Sequence, residues 1–223
     1  MVRPGLGIVI PALNEQETIE TVIKDLVTYG IVIVVDDGSK DQTASLAEKA
    51  GAVVVSHPIN QGYDAAIESG IKKAKELNLA YVVTFDADGQ HDHHLIDAFY
   101  QKLANSSDLV LGIRPHKQRI MEVILGIYFK TRFGVEDILC GMKGYRTKLF
   151  DQNQGFDHIN SVGTELAMMS IKRGACFSQI PVPMAKRDDH PRFGNIISSN
   201  GKIARALWAL IKLDYSSRKL SSH

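Results

Sequence analysis

The sequence predicts an α/β domain in which helices cover both faces of a mostly parallel sheet, giving three layers. Short apolar runs alternate with segments of helical hydrophobic period through the first half of the chain, and this alternation is typical of β-α-β units with parallel strands. Polar turn residues follow several of the apolar runs, as expected where strands end. With 223 residues, the chain is long enough for one such domain with a sizeable core.

Strands are predicted where apolar residues run together without a helical period. They cover residues 6–12, 31–35, 52–56, 81–85, 108–113, 139–145 and 177–182. Prolines end the seventh run, which marks it as an edge strand. Helices are predicted where apolar residues recur at intervals of three and four. They cover residues 18–29, 42–50, 63–77, 93–104, 117–131, 163–172 and 197–213. We expect residues 1–195 to form the domain and residues 196–223 a C-terminal helical extension.

Charge is unevenly divided along the chain, although the formal net charge is only +1. Residues 1–112 hold 8 basic and 16 acidic side chains, whereas residues 113–223 hold 18 and 9. An acidic half can hold a cation and a basic half can hold phosphate, but chance surface composition explains the same counts. No continuous basic patch with base-stacking aromatic residues is evident, which argues against a nucleic-acid partner.

No stretch reaches the roughly 18 apolar residues that a membrane-spanning helix needs. The N-terminus has no signal-peptide layout. Cys140 and Cys176 fit no metal-binding spacing and are interpreted as reduced thiols. Together these features predict a cytoplasmic protein.

Acidic and amide side chains follow three of the predicted strands. They are Asn14, Glu15, Asp36, Asp86 and Asp88. Ligands of parallel α/β sheets bind beyond the carboxyl ends of the strands, so these side chains should share one edge. Two aspartates at i and i+2, with Gln90, offer the oxygen ligands that Mg²⁺ or Mn²⁺ prefers. Such a cation would neutralise a diphosphate, while a solvated turn is the alternative.

Three segments, in this order and spacing, resemble motifs of the family 2 glycosyltransferases of the GT-A fold, and most closely the polyprenyl-phosphate (dolichol-phosphate) sugar synthases. They are Ile10-Pro-Ala-Leu-Asn-Glu15, Val34-Val-Asp-Asp-Gly-Ser39 and Asp86-Ala-Asp-Gly-Gln-His91. Further matches are Asn60-Gln-Gly62, Gly112-Ile-Arg114, Asp137-Ile-Leu-Cys-Gly-Met-Lys143 and Glu165. The resemblance covers roughly residues 6–195.

The resemblance implies a nucleotide-sugar domain that moves a sugar from a UDP- or GDP-sugar with inversion of the anomeric centre. It implies a metal held by Asp86, Asp88 and Gln90. It also implies a mobile loop over the donor at residues 186–192. The residues that it assigns to donor binding are Pro11, Ala12, Asn14, Glu15, Asp36, Gly62, Asp86, Ala87, Arg114, Arg132, Lys143 and Arg187.

The sequence departs from the family pattern at three places. Tyr63-Asp64 stand where members often carry Lys-Gly, and Leu13 stands where Tyr is common. A late Arg-x-Gly-x-Ser-Lys pattern is present only in part, as Arg192-Phe-Gly194-Asn195.

The acceptor decides whether catalysis needs a base. A hydroxyl must lose its proton during attack, whereas a phosphate is already anionic. Asp137 and Glu165 join Asp88 as the candidate catalytic carboxylates, although a turn cap explains Asp137 and helix capping explains Glu165. We expect a polyprenyl phosphate acceptor and keep a glycan hydroxyl as the alternative.

Two further features have two interpretations each. His91, His93 and His94 could form a zinc site, but an exposed helix start explains the last two better. The C-terminal helix carries Trp208 and several basic residues. It either lies on an anionic membrane surface or packs on the domain or on a second subunit, and packing is the commoner outcome.

Two other classes of function fit the sequence less well. A strand followed by Asp86-Ala-Asp88 resembles the start of a haloacid-dehalogenase phosphatase, but three β-α units precede it and Gln90 replaces the expected Thr or Val. A non-catalytic nucleotide-sugar-binding protein would be expected to lose its metal ligands, and this sequence keeps them.

Overall fold

The structure is a computed structural model that describes residues 2–89, 91–117, 119–153, 156–157, 159, 161–183 and 196–216. Within these residues the chain forms one seven-stranded sheet with a hydrophobic cluster on each face. Gln90, Arg187 and the segment 186–192 lie outside the described residues, so their predicted roles stay predictions.

The sheet is mostly parallel, as predicted. Its strands are β1 Leu6–Ala12, β2 Ile31–Asp36, β3 Val53–Ser56, β4 Tyr81–Thr84, β5 Leu109–Ile113, β6 Lys143–Arg146 and β7 Phe177–Pro181. Their spatial order is β3-β2-β1-β4-β6-β5-β7, which confirms β7 as an edge strand. Only β6 runs antiparallel to its neighbours, β4 and β5.

Eight helices connect or follow the strands in the described part of the chain. They are α1 Ile19–Leu26, α2 Thr43–Lys49, α3 Tyr63–Glu76, α4 Leu95–Asn105, α5 Ile120–Phe133, α6 Lys148–Asn153, α7 Thr164–Lys172 and α8 Ile196–Ser216. The sequence did not predict α6, because six residues are too few to establish a helical period. Helix α1 ends at Leu26, before the predicted residue 29. Gly30 then lies against β1, where a Cβ atom would be 2.6 Å from the Leu6 carbonyl oxygen.

Alternation along the strands divides the core into two layers. Ile8 and Ile10 of β1 belong to the cluster beneath α1 and α4, whereas Val9 belongs to the cluster beneath α3, α5 and α7. Successive side chains of a strand point to opposite faces, so β1, β2, β4 and β5 each contribute to both clusters. This arrangement gives the predicted three layers.

Helix α3 lies directly on β1. At Gly70 a Cβ atom would come within 2.2 Å of the Val9 side chain, so a larger residue would push the helix off the sheet. The close approach fixes the position of the first turn of α3, which contributes Tyr63 and Asp64 to the site described below.

Helix α8 packs against α5 and contributes Leu207 and Leu210 to the core. This packing is the one predicted for the C-terminal helix. The domain boundary at residue 195 stays a prediction. Among the described residues, none of the helices combines the length and the apolar character needed to cross a membrane.

The carboxyl ends of β1, β2, β4 and β5 meet at one edge of the sheet, because these strands are mutually parallel. The antiparallel β6 begins at the same edge, with Lys143 paired to Leu111 of β5. The segment leading into β6 therefore reaches the edge where the acidic residues lie.

Candidate active site

The loops after β1 and β2 are joined by hydrogen bonds. Asn14, in the left-handed region with φ 55°, donates its backbone N–H to Ser39 Oγ at 2.9 Å and accepts from the Lys40 N–H at 2.9 Å. Glu15 donates its N–H to Thr43 Oγ1 at 2.8 Å. The structure thus brings the predicted Asn14 and Glu15 to the loop that follows Asp36.

Asp37, to which the sequence analysis assigned no role, holds the next loop. Its buried carboxylate accepts the N–H groups of Gln61 at 2.9 Å and Gly62 at 2.8 Å, and contacts His57 Nδ1 at 2.7 Å. The other ring nitrogen of His57 contacts Ser69 Oγ at 2.9 Å. The doubled aspartate in the motif was a signal for Asp37, but only the fold brings His57 to it.

Asp86 and Asp88 follow β4 at the centre of this edge. The Asp86 side chain is 30% exposed and has two long contacts, 3.5 Å to the Tyr63 hydroxyl and 3.6 Å to His91 Nε2. Burial raises the pKa of Asp86 and the charge of Asp88 raises it further, while His91 lowers it. The carboxylate pair is therefore an unfavourable arrangement that a cation would relieve.

The backbone of Gly141 keeps space open over the Asp86 carboxylate. A Cβ atom at residue 141 would lie 3.0 Å from Oδ2 and 3.2 Å from Oδ1. Two carboxylates with such an opening offer the oxygen donors that Mg²⁺ or Mn²⁺ takes, so the described residues fit a divalent cation.

The Tyr63-Asp64 departure from the family pattern has a clear structural role. Tyr63 contacts Asp86, while the buried Asp64 accepts the N–H groups of Val162 at 3.2 Å and Gly163 at 2.9 Å. Burial raises the pKa of Asp64 to about 6, with a contribution from the Asp157 charge. The start of α3 thus connects the acidic edge to the turn that precedes α7.

Lys143 also binds the turn that precedes α7. Its ammonium group donates to the carbonyl oxygens of Cys140 at 2.7 Å and Val162 at 2.6 Å, and the residue is only 1% exposed. Burial lowers the pKa of Lys143. These contacts give Lys143 a part in shaping the site, while its predicted phosphate contact stays a prediction.

Arg114 and Asp137 form a bidentate pair. Arg114 Nε lies 2.7 Å from Asp137 Oδ2, and Nη2 lies 3.0 Å from Oδ1. Burial by itself would raise the pKa of Asp137, but the hydrogen bonds and charge of Arg114 outweigh it and lower the pKa. A carboxylate held this way is a weak base, so the geometry favours a positioning role for Asp137 over proton abstraction.

One more acidic side chain, Glu122, and one more basic side chain, Arg119, extend this ion pair. Glu122, buried on α5, contacts Arg114 Nη2 at 3.5 Å and accepts from Arg119 Nη1 at 2.7 Å. We refer to Arg114, Arg119, Glu122 and Asp137 as the arginine cluster. Two of its members, Arg114 and Asp137, were predicted from the sequence.

The remaining predicted residues fall in different surroundings. Glu165 is buried in the first turn of α7, just after the turn held by Asp64. Arg132 contacts Asp214 of α8 at 3.0 Å and lies over the Phe133 ring, so it belongs to the α5–α8 contact. Pro11 and Ala12 end β1, Gly62 begins α3 and Ala87 is buried between Asp86 and Asp88.

The histidine doublet lies apart from these carboxylates, at the start of α4. The Nδ1 atoms of His93 and His94 lie 3.1 and 3.2 Å from the Tyr29 hydroxyl. Together with Asp92 they bring potential metal-ligand atoms within 4.8 Å of one another. Asp92 and His94 are exposed, as expected for a helix start.

A mostly parallel α/β sheet with paired carboxylates at its carboxyl edge is the arrangement expected of the GT-A class of glycosyltransferases. Residues 7–152 match the family model described as glycosyl transferase family 2. The chain belongs to this family of glycosyltransferases. The match confirms the predicted family and does not support the phosphatase alternative.

The family includes relatives named for dolichyl phosphate. The chain is 35% identical over 127 residues to the UDP-N-acetylglucosamine–dolichyl-phosphate N-acetylglucosaminyltransferase of Methanococcus voltae, covering 48% of this chain and 51% of that protein. It is 27% identical over 195 residues to the dolichyl-phosphate hexose transferase of Haloferax volcanii, covering 82% of this chain and 83% of that protein. The chain thus spans about half the length of the first relative.

Solved structures share the fold. Glucosyl-3-phosphoglycerate synthase from Mycobacterium tuberculosis, in complex with Mn²⁺, UDP and glucosyl-3-phosphoglycerate, superposes with a TM-score of 0.71 at 21% identity, over 92% of this chain and 78% of that chain. The same synthase has also been solved with Mg²⁺ and UDP. This likeness confirms the GT-A fold of the present chain.

Proposed function

We propose that this glycosyltransferase moves a sugar from a UDP- or GDP-sugar to a polyprenyl phosphate, with inversion at the anomeric carbon. The observation that carries the proposal is the Asp86-Ala-Asp88 segment, where the Gly141 backbone leaves the Asp86 carboxylate open at the edge on which the loops after β1 and β2 also lie. Ligands of parallel α/β sheets bind at this edge.

The donor would lie across the joined loops. Asn14, Glu15 and Asp36 would contact the nucleoside, since their loops are fixed to each other before any ligand binds. Asp37 would act indirectly, because its hydrogen bonds set the position of Gly62. Such preorganisation reduces the entropy lost when the donor is bound.

Asp86 and Asp88 are the described residues that would hold a Mg²⁺ or Mn²⁺ ion, with Gln90 as a third predicted ligand. When bound, the cation would neutralise the diphosphate and stabilise it as a leaving group. The Mn²⁺ and Mg²⁺ complexes of the synthase that shares the fold support this assignment.

A phosphate acceptor agrees with the state of the carboxylates on the acceptor side. Asp137 is hydrogen-bonded to Arg114 through both carboxylate oxygens, and its lowered pKa makes it a weak base. A weak base is sufficient for a phosphate acceptor, because that acceptor has no proton to lose. The two relatives named for dolichyl phosphate support the same acceptor class.

Glu165 favours a second candidate, a glycan hydroxyl acceptor. Its carboxyl group is buried in the first turn of α7, and the preceding turn is fixed by Asp64 and Lys143. A carboxylate held in place by its surroundings is suited to remove a proton.

Calorimetry with UDP and with GDP, with and without Mn²⁺, tests the donor site. We expect Asp88→Asn to reduce the Mn²⁺-dependent affinity at least tenfold, because one of two carboxylates loses its charge. Asp25→Asn is the matched control, since Asp25 is an exposed aspartate on α1 that belongs to neither the acidic edge nor the Asp92–His93–His94 cluster. Unchanged affinity in Asp88→Asn would remove the basis of the proposal.

Turnover assays then separate the acceptors. With nucleotide sugars that bind, we expect sugar transfer to a polyprenyl phosphate and none to a simple glycan alcohol. Transfer only to the alcohol would replace the first candidate by the second. A bilayer-anchored acceptor also implies a peripheral protein at the cytoplasmic face of a membrane.

A further inference from the structure

Exposed large apolar side chains are concentrated on two helices that pack together. On α5, Ile120 is 76% exposed and Ile127 is 59% exposed, with Val123 and Ile124 between them on the same stripe. On α8, Trp208 is 62% exposed. We refer to these five exposed side chains, four on α5 and Trp208 on the neighbouring α8, as the apolar face.

Helix α5 is apolar on two sides and buried on only one. Leu125 and Phe129 enter the core, so the opposite stripe at residues 120, 123, 124 and 127 is not needed for folding. Single exposed apolar residues are normal on a protein surface, whereas a contiguous stripe marks an interaction site.

The exposed charged side chains that the structure describes on α5, on α8 and just before α5 are positive. Lys117, Arg205 and Lys212 are exposed on α8 or just before α5, and the Lys212 ammonium lies 3.3 Å from the centre of the Trp208 ring. Asp214, the acidic residue of α8, is buried and paired with Arg132 and Lys172, so it does not offset them at the surface.

We propose that the apolar face docks on the surface of an anionic lipid bilayer. Apolar side chains beside a Trp and a basic border are the composition of helices that lie in a membrane interface. In a symmetric dimer through this face, the basic borders would face each other and repel. An anionic surface complements them instead.

The geometry of α5 agrees with lying on a bilayer rather than crossing it. Its 14 residues span about 21 Å, and no described helix meets the requirements for a membrane span. Ile120 and Ile127 could bury their side chains while the helix axis stays in the headgroup region.

Docking would also bring the arginine cluster to the membrane. Arg119 and Glu122 belong to the start of α5, next to Ile120, and Glu122 contacts Arg114. This consequence depends on the proposed polyprenyl phosphate acceptor, whose phosphate lies at the same depth. The docking itself does not depend on it.

Trp208 is the single tryptophan of the chain, so its fluorescence reports on the apolar face directly. We expect vesicles of phosphatidylglycerol and phosphatidylcholine to shift its emission to the blue, and brominated lipids to quench it. Vesicles of phosphatidylcholine alone should have a much weaker effect. The vesicles contain no polyprenyl phosphate and no nucleotide sugar, so failure here leaves the proposed function standing.

The double variant Ile120→Ser, Ile127→Ser should reduce vesicle binding at least tenfold, since two side chains lose their burial in lipid. Ile59→Ser is the matched control, because Ile59 is 70% exposed outside the apolar face. Equal binding by wild type and the double variant would overturn the proposal.

One further result would also overturn the proposal. Trp208 emission that is already blue-shifted and protected from acrylamide without lipid would show that the chain itself or a second copy covers the face. Sedimentation distinguishes those two cases. Unchanged nucleotide affinity in the double variant shows that the donor site remains intact.

Discussion

The Asp64 carboxylate accepts a hydrogen bond from the backbone N–H of Gly163 at 2.9 Å, across 99 positions of the sequence. The contact joins the first turn of α3 to the turn before α7. Since Tyr63 of the same turn contacts Asp86, one short segment connects the predicted metal ligands to Glu165. The residues that depart from the family pattern thus connect the two sides of the site.

Asp64 should make stability depend on pH between about 4 and 6. Its pKa is about 6 in the folded chain, against 3.8 for a free side chain, so the folded state binds more protons in this interval. The free energy of unfolding should therefore fall as pH rises, by about 3 kcal/mol in total from this group.

The Asp64→Asn variant, which cannot ionise, should lack this contribution. Urea unfolding of both proteins from pH 4 to pH 7 measures it. If the free energies of unfolding of the two proteins changed with pH in the same way, folding would not raise the pKa of Asp64.

Gly141→Ala should block the metal site without unfolding the protein. The new methyl group would lie 3.0 Å from Asp86 Oδ2, in the space that a cation needs. We expect Mn²⁺-dependent UDP or GDP affinity to fall at least tenfold. Gly201→Ala is the control, because a Cβ atom there meets nothing within 4 Å. Wild-type affinity in Gly141→Ala would place the cation elsewhere.

Asp137→Ala should destabilise the protein by about 3 kcal/mol, because it leaves the half-buried Arg114 guanidinium without its bidentate partner. Glu20→Ala breaks the exposed ion pair with Lys24 and should leave the stability close to that of the wild type. Chemical denaturation measures both. If Asp137→Ala lowered the stability as little as Glu20→Ala, solvent would be replacing Asp137 as the partner of the Arg114 guanidinium.

Glu165→Gln separates the two acceptor classes. If Glu165 removes a proton from a hydroxyl acceptor, kcat should fall about 100-fold or more with little change in KM. With a phosphate acceptor, kcat should stay within a few fold of wild type. Circular dichroism and thermal unfolding check that the isosteric variant keeps its fold, since Glu165 is buried.

Local patterns predicted most of the fold. The apolar runs that became β1, β2, β4 and β5 are continuous in sequence, and the polar residues that end them lie at one edge because the strands are parallel. The antiparallel direction of β6 was not predictable in this way. It depends on pairing with β4 and β5, and no local pattern encodes the choice of partner.

The sequence by itself determined the family, the order of the elements and the carboxylates at the sheet edge, because each is written in a short segment of consecutive residues. Only the tertiary structure decided what these carboxylates contact. It turned Asp137 into the partner of Arg114, placed Arg132 against Asp214 and brought Lys143 beneath Val162. Burial and partner charge set the chemistry of an ionisable group, and both come from segments distant in sequence that meet only when the chain folds.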